Sequence, residues 1–341
     1  MSDSDPLAQV PAFLRRHGLL GPGEQATITS MTGGVSSDLW KVELSTGVIC
    51  VKGALAQLKV EHPWFAPVSR NHVEYEWLKF AQRVRPGQVP RVLAHDEAAG
   101  LLAMEYLPPN RYPVWKSLLL ASRVNVETAQ AVGELVGHLH SVSAADPGNS
   151  VRFATDENFD ALRIDPYLRV TARAHPDLDN RFAALADRTA ATHLAVVHGD
   201  VSPKNILLGP AGPVLLDAEC AWFGDPAFDV AFCINHLLIK SLKVPRRSEA
   251  LLAAAHALAD AHAEQVDWEP APALAARVVA LLPALTLARV DGSSPVEYLD
   301  EGERGIVRRV GRELLATPAA TLDELCERWT ALAHPRAASV S

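Results

Sequence analysis

Residues 196–230 read VVHGDVSPKNILLGPAGPVLLDAECAWFGDPAFDV, and this stretch decides the fold. An apolar run ending at Val197 breaks into His198-Gly199-Asp200, passes a Ser-Pro-Lys-Asn turn and resumes at Ile206. A second turn, GPAGP, leads into Val214-Leu215-Leu216, which ends at Asp217. Short apolar runs bounded by Gly and Pro predict strands, so residues 194–217 form a β-rich island. Asp200 and Asn205 then lie in a loop between two buried strands. Asp217 ends a strand, with Glu219 two residues on along extended chain. Any one of these acids alone reads as an ordinary hairpin-loop acid. The joint order and spacing of His198, Asp200, Asn205, Asp217 and Asp229 is far more specific.

Working outward, the chain changes character near residue 108. Residues 39–55, LWKVELSTGVICVKGAL, predict two strands about a Ser-Thr-Gly turn. Residues 89–107, VPRVLAHDEAAGLLAMEYL, predict two more, and the prolines that follow stop the last one. Between these pairs, Val73, Trp77, Phe80 and Ala81 recur at helical spacing within residues 69–84. After residue 108 the pattern turns helical. Val132, Leu135, Val136 and Leu139 share one face of residues 125–144, with Asn125 or Thr128 as the starting cap. Ala- and Leu-rich stretches at 248–265 and 272–290 predict buried helices, and further helical patterns cover 301–316 and 321–333. The expectation is an α+β chain with an N-terminal unit over 1–107 and a mainly helical unit over 108–341.

At 341 residues the chain exceeds what one core usually serves. With 48% hydrophobic and 21% charged residues it has the composition of a soluble globular protein. A net charge of −8 argues against a nucleic-acid partner. The start lacks the basic-then-apolar order of a secretory signal. No apolar run reaches bilayer-spanning length by eye, so a cytoplasmic protein without membrane partners is expected. The four cysteines show no Cys-x-x-Cys spacing and read as buried small hydrophobes.

The five-residue interval from Asp200 to Asn205 has the D-x-x-x-x-N spacing of kinase catalytic loops. Transfer of a phosphoryl group from ATP needs a carboxylate to orient the attacking hydroxyl, oxygen ligands for Mg²⁺, a cation for the α- and β-phosphates and amides to cover them. Asp200 suits the first role, and Asn205 and Asp217 the second, with Glu219 able to reach the metal or its water. Lys52 alone reads as an edge-strand lysine; its place in the V-x-x-K-like third strand makes it the phosphate cation. Glu74 and Glu76 are available as its partner, and Glu74 fits better. Gly33, Gly34, Val35, Ser36 and Ser37, in MTGGVSS, stand where a phosphate-covering loop belongs. Position alone places Met104, Glu105 and Leu107 against the adenine. Asp229 opens a helix pattern and braces the loop beside His198.

HGDVSPKN, LLDAE and GDPAFD resemble the motifs of the aminoglycoside phosphotransferase and choline kinase superfamily, over roughly residues 25 to 315. Within it, residues 51–107 and 216–232 are most similar to the 5-methylthioribose kinase family. The resemblance implies a bilobal protein-kinase-like fold with a small β-rich N-lobe and a larger helical C-lobe. It implies ATP and Mg²⁺ as cofactors, a small hydroxylated substrate and a homodimer. It also places Arg289, Asp291, Trp222, Arg163 and Tyr167 as candidate substrate contacts. Two departures stand out. Arg289 follows Ala288 where that family has paired arginines, and Lys204 replaces a usual glycine, which makes it a candidate catalytic cation at the γ-phosphate. The function expected is O-phosphorylation of a sugar-like metabolite. An aminoglycoside phosphotransferase and a nucleotide-binding pseudokinase scaffold are the alternatives.

Overall fold

A computed structural model describes residues 6–31, 37–55 and 67–334. Helix α1 (Pro6–Arg16) precedes strands β1 (Thr27–Met31), β2 (Ser37–Leu44) and β3 (Gly47–Ala54). Helix α2 (Arg70–Val84) then crosses to β4 (Val92–Asp96) and β5 (Leu101–Glu105). These five strands make one antiparallel sheet in the order β1-β2-β3-β5-β4.

The two-residue period of the strands divides the sheet between two cores. Trp40, Val42, Ile49, Val51, Leu101 and Ala103 pack with Val10, Phe13 and Leu14 of α1. Leu102 and Met104 join Val73, Trp77 and Leu78 of α2 in a larger core that continues into the rest of the chain. Lys52 pairs in register with Leu102 and so projects toward α2.

Two elements go beyond the four strands and one helix expected. Strand β1, TITSM, is an edge strand with mostly exposed side chains, so it has little apolar alternation to read. Helix α1 carries Pro11 within it, which masks the spacing of Val10, Phe13 and Leu14.

The remainder is mainly helical. Short α3 (Trp115–Leu120) leads to α4 (Val126–Ala144), whose first turn is capped by the Asn125 side chain accepting from the Thr128 N–H at 3.1 Å. The one-turn helices α5 (Gly148–Arg152) and α6 (Asp156–Phe159) run into a π-helical stretch, Asp160–Arg169, then α7 (Val170–Ala174) and α8 (Asp179–Ala191). Two small antiparallel ribbons follow, β6 (Ala195–Val197) with β9 (Trp222–Gly224), and β7 (Ile206–Gly209) with β8 (Gly212–Leu215). Helices α9 (Ala227–Lys243), α10 (Ser248–Ala263), α11 (Ala271–Asp291), α12 (Glu301–Ala316) and α13 (Leu322–Ala333) complete the fold. Contrary to the reading by eye, α11 is long and apolar enough to cross a membrane. It packs as a core helix, burying Leu281, Leu282, Leu285 and Leu287.

Helices α4 and α10 approach closely because α4 has a glycine at the crossing. A Cβ on Gly133 would stand 2.2 Å from the Leu258 carbonyl oxygen. Gly133→Ala is therefore expected to lower stability by about 1–3 kcal/mol, read as a lower midpoint in urea. Gly305→Ala on α12, where a Cβ meets open space, is expected to leave the midpoint unchanged or raise it. Equal midpoints for the two variants would refute the close-crossing account.

Candidate active site

The β6 strand delivers the chain into a loop whose backbone is held from below. Asp229, fully buried in the first turn of α9, accepts the His198 N–H at 2.7 Å and the Gly199 N–H at 2.8 Å. His140 Nε2 lies 3.2 Å from the same carboxylate. Gly199 adopts φ +78°, and a Cβ there would meet the Cys220 carbonyl oxygen at 2.8 Å, so this corner requires glycine. His198 Nδ1 accepts the Asp200 N–H at 3.1 Å, which leaves the proton on Nε2 to donate to the Leu216 carbonyl at 3.1 Å. Burial holds its pKa below the ordinary value, so the ring is neutral. One imidazole thus ties the loop to the strand end that carries Asp217.

Asp200 is clamped on one side only. Its Oδ2 meets Arg163 Nη2 at 2.9 Å and Lys204 Nζ at 3.1 Å. Its Oδ1 is buried and has no hydrogen-bond partner among the described residues. Burial works against the charge, but Lys204 and Arg163 outweigh it and hold the carboxyl below its usual range. Arg163 also donates through Nε to the Gly199 carbonyl, which fixes the guanidinium against the loop. The Asn205 amide donates through Nδ2 to the Asp200 carbonyl at 3.2 Å, leaving Oδ1 as its free acceptor. The Asn205 carbonyl accepts the Leu216 N–H at 2.9 Å, so Asn205 and Asp217 flank the base of the β7–β8 ribbon.

A second cluster joins the sheet to this loop. Lys52 Nζ bonds Asp217 Oδ1 and stands 2.6 Å from Glu74 Oε2 and 4.0 Å from Glu219 Oε2. Arg70, buried at the start of α2, meets Glu219 Oε2 at 3.1 Å and also donates to the Leu55 and Pro67 carbonyls. Among the described residues, Lys52 and Arg70 thus stand among Asp217, Glu74 and Glu219. Asp217 wins the larger share: burial opposes its charge, but Lys52 and Lys204 pull it well below the ordinary range. Glu74 is pushed up to about 7, by burial first, because Lys52 only partly offsets that and Asp217 adds to it. Asp217 also has φ +66°, an uncommon conformation for a residue with a side chain, which marks a position held by its surroundings.

Of the other candidates, Gly33, Gly34, Val35 and Ser36 lie outside the described residues. Ser37 opens β2 with a buried hydroxyl that has no partner among the described residues. Met104 and Glu105 end β5, and Leu107 follows in the segment leading away from the sheet. Tyr167 and Arg163 share the π-helical stretch, and Arg289 Nη1 donates to the Tyr167 hydroxyl at 2.9 Å.

Three further candidates already have partners within the protein. Glu219 Oε2 meets the buried Arg70 guanidinium at 3.1 Å. Trp222 is a core ring stacked on Phe159 with centroids 4.3 Å apart. Asp291 is taken by Arg308 at 2.7 Å and His175 at 3.0 Å, which occupy both its oxygens. Arg70 was not foreseen. Its only sequence signal is a basic residue opening an otherwise half-buried helix.

The profile described as the phosphotransferase enzyme family matches residues 27–242. The chain belongs to that family. A methylthioribose kinase of Pectobacterium atrosepticum is 25% identical over 256 residues, covering 67% of this chain and 64% of the relative. A probable ketoamine kinase of Klebsiella aerogenes is 28% identical over 184 residues, covering 48% of this chain and 60% of the relative. The chain thus spans less than two thirds of the length of these curated relatives. Among solved structures, a choline/ethanolamine kinase family protein from Mesorhizobium loti superposes with a TM-score of 0.55 at 17% identity, covering 95% of this chain and 99% of that one. An amicoumacin kinase bound to AMP-PNP and Ca²⁺ gives 0.56 at 14% identity, covering 92% of this chain and 97% of that one. These likenesses identify the fold as the bilobal kinase-like one. Among the described residues, no three His, Cys, Asp or Glu side chains converge as a metal-binding group.

The position of Glu74 gives a pH-dependent stability of known sign. Its ordinary pKa of 4.5 is raised to about 7 in the folded protein. Between those values the folded state binds the extra proton, so this group's contribution grows as pH falls from about 7 toward 4.5 and is absent above 7. Glu74→Gln is expected to gain stability relative to the parent at pH 8 and to lose that gain at pH 5. Melting curves at the two pH values check this, and a difference independent of pH would contradict it.

Proposed function

We propose that this phosphotransferase moves the γ-phosphoryl group of ATP to a hydroxyl of a small, sugar-like molecule. The observation that carries the reading is Asp200, a buried carboxylate with one oxygen clamped by two cations and the other left without a partner. A hydroxyl donating to that free oxygen would have its own oxygen turned toward the phosphorus. The new bond is acceptor oxygen to γ-phosphorus; the bond to the β,γ-bridging oxygen breaks, and ADP leaves with that electron pair. The hydroxyl proton passes to Asp200. A carboxylate held below its usual pKa is a weak base, which suffices where the transition state is loose and the proton leaves late.

Lys52, released from Asp217, would hold the α- and β-phosphates, with Glu74 keeping it in place. The Ser37 hydroxyl and the amides of Gly33, Gly34, Val35 and Ser36 would cover the phosphates, and the chain at Met104, Glu105 and Leu107 would face the adenine. Asn205 Oδ1 and Asp217 fit Mg²⁺, being hard oxygen donors with the amide nitrogen already spent on the Asp200 carbonyl. When bound, that ion supplies neutralising charge between the β- and γ-phosphates. Two protein ligands leave the remaining positions to phosphate and water. Lys204, half-exposed beside Asp200, would meet the transferred phosphoryl group.

The test is ADP release from Mg-ATP over a panel of sugars and nucleoside-derived alcohols. Asp200→Asn is expected to lower kcat by about 10²–10⁴-fold while leaving KM for ATP unchanged. Full turnover in Asp200→Asn would remove the proposed role, and nucleotide binding without turnover on any acceptor would favour a pseudokinase scaffold.

A further inference from the structure

Beside Asp200 lies a basic floor that the transfer chemistry does not use. Arg289 and Lys240 are both buried, at 7% and 1% exposure, and among the described residues neither has a carboxylate within ion-pair distance. Arg289 bonds only neutral groups, the Tyr167 hydroxyl at 2.9 Å and Ser294 Oγ at 3.2 Å, and its Nε is buried without a partner. Lys240 has the Tyr298 hydroxyl at 3.3 Å and the His236 carbonyl at 3.4 Å. The His236 Nε2 is also buried and has no partner among the described residues. A buried cation without a counter-charge is costly, and three orphaned or half-served donors and acceptors in one place point to an absent ligand.

The floor is continuous with the catalytic loop. Arg163, bonded to Asp200, lies over the ring of Tyr167 at 5.6 Å, and Arg289 lies over the same ring at 5.6 Å. Lys116 donates its backbone N–H to the Pro203 carbonyl at 2.8 Å, and its ammonium sits over the Tyr298 ring. The segment after α11 folds over this floor, with the Ser293 N–H on the Pro166 carbonyl and the Val296 N–H on the Arg289 carbonyl. Five basic side chains thus surround two carboxylates, Asp200 and Glu297, and both carboxylates are already paired. The crowding shows on Lys240, pushed down to about 7 by burial first and then by Lys116 and Arg289.

We propose that the acceptor is a polyhydroxylated molecule bearing an anionic group, a carboxylate or a phosphate, seated on Arg289 and Lys240. This rests on the reading of Asp200 as the group that receives the acceptor hydroxyl. It sets the anion at one end of the site and the reacting hydroxyl at the other, and it excludes cationic acceptors by repulsion. A guanidinium and an ammonium on one floor match either anion, the first as a planar fork and the second as a point charge.

Calorimetric titration of the full chain without nucleotide tests it, using D-gluconate, D-ribose 5-phosphate, D-ribose and choline. At least one anionic polyol is expected to bind at least about tenfold more tightly than D-ribose, and choline not to bind. The stronger of the two identifies carboxylate or phosphate as the source. Arg289→Gln and Lys240→Met are each expected to erase about tenfold of that preference, read as the ratio of anion to D-ribose affinity, without lowering the melting temperature. Failure of both anions to bind, binding of choline or D-ribose as tightly, or a preference kept in both variants would overturn it. ADP release is measured separately on the same preparations. Anion binding without ADP release would sink the phosphotransfer reading and leave only the anion site, and ADP release on neutral acceptors alone would keep phosphotransfer and overturn the anionic acceptor.

Discussion

One ammonium group, that of Lys52, holds the sheet to the rest of the protein through charge. It leaves β3 on the face covered by α2, where Glu74 meets it at 2.6 Å, and it reaches Asp217 beyond the β7–β8 ribbon. Burial of a lysine in this position is tolerable only with such partners. Arg70 is a further buried cation in the same cluster, set against Glu219. What results is a site that is electrostatically unfinished. Asp217 stays ionised and Glu74 does so only partly.

The catalytic loop shows the complementary device, rigidity obtained from backbone amides. Asp229 accepts two consecutive N–H groups and His198 locks its own tautomer between the Asp200 amide and the Leu216 carbonyl. None of these groups need touch a substrate. They set the position from which Asp200 presents its free oxygen, and Arg163 and Lys204 set its charge. The loop is therefore pre-organised before any ligand is bound, which is where electrostatic catalysis gains most.

The two halves of the proposed acceptor site differ in kind. Near Asp200 both cations are paired with its carboxylate. Among the described residues Arg289 and Lys240 have no such pairing, and Tyr167, whose ring lies under both arginines, is the wall they share. An uncompensated pair of buried cations is a cost to folding that makes physical sense when an anion repays it on binding.

Local patterning determined a good deal by itself. The strand–turn–strand alternation of 194–217, the spacing from Asp200 to Asn205 and onward to Asp217 and Asp229, and the helical periods after residue 108 were legible because each depends on neighbours within a few residues. Strand β1 and helix α1 were not, since an exposed edge strand and a proline-bearing helix leave weak periodic signals. The partner of each charge was decided only by the tertiary structure. Arg163 reaches Asp200, Arg70 takes Glu219, and Arg308 with His175 takes Asp291, across separations from 17 to 149 residues. Lys240 sits in an apolar run where a lysine is out of place, yet only the fold shows that neither it nor Arg289 has a carboxylate within ion-pair distance among the described residues. Sequence spacing specifies which residue types are available; which buried charge is left without a partner depends on packing in three dimensions.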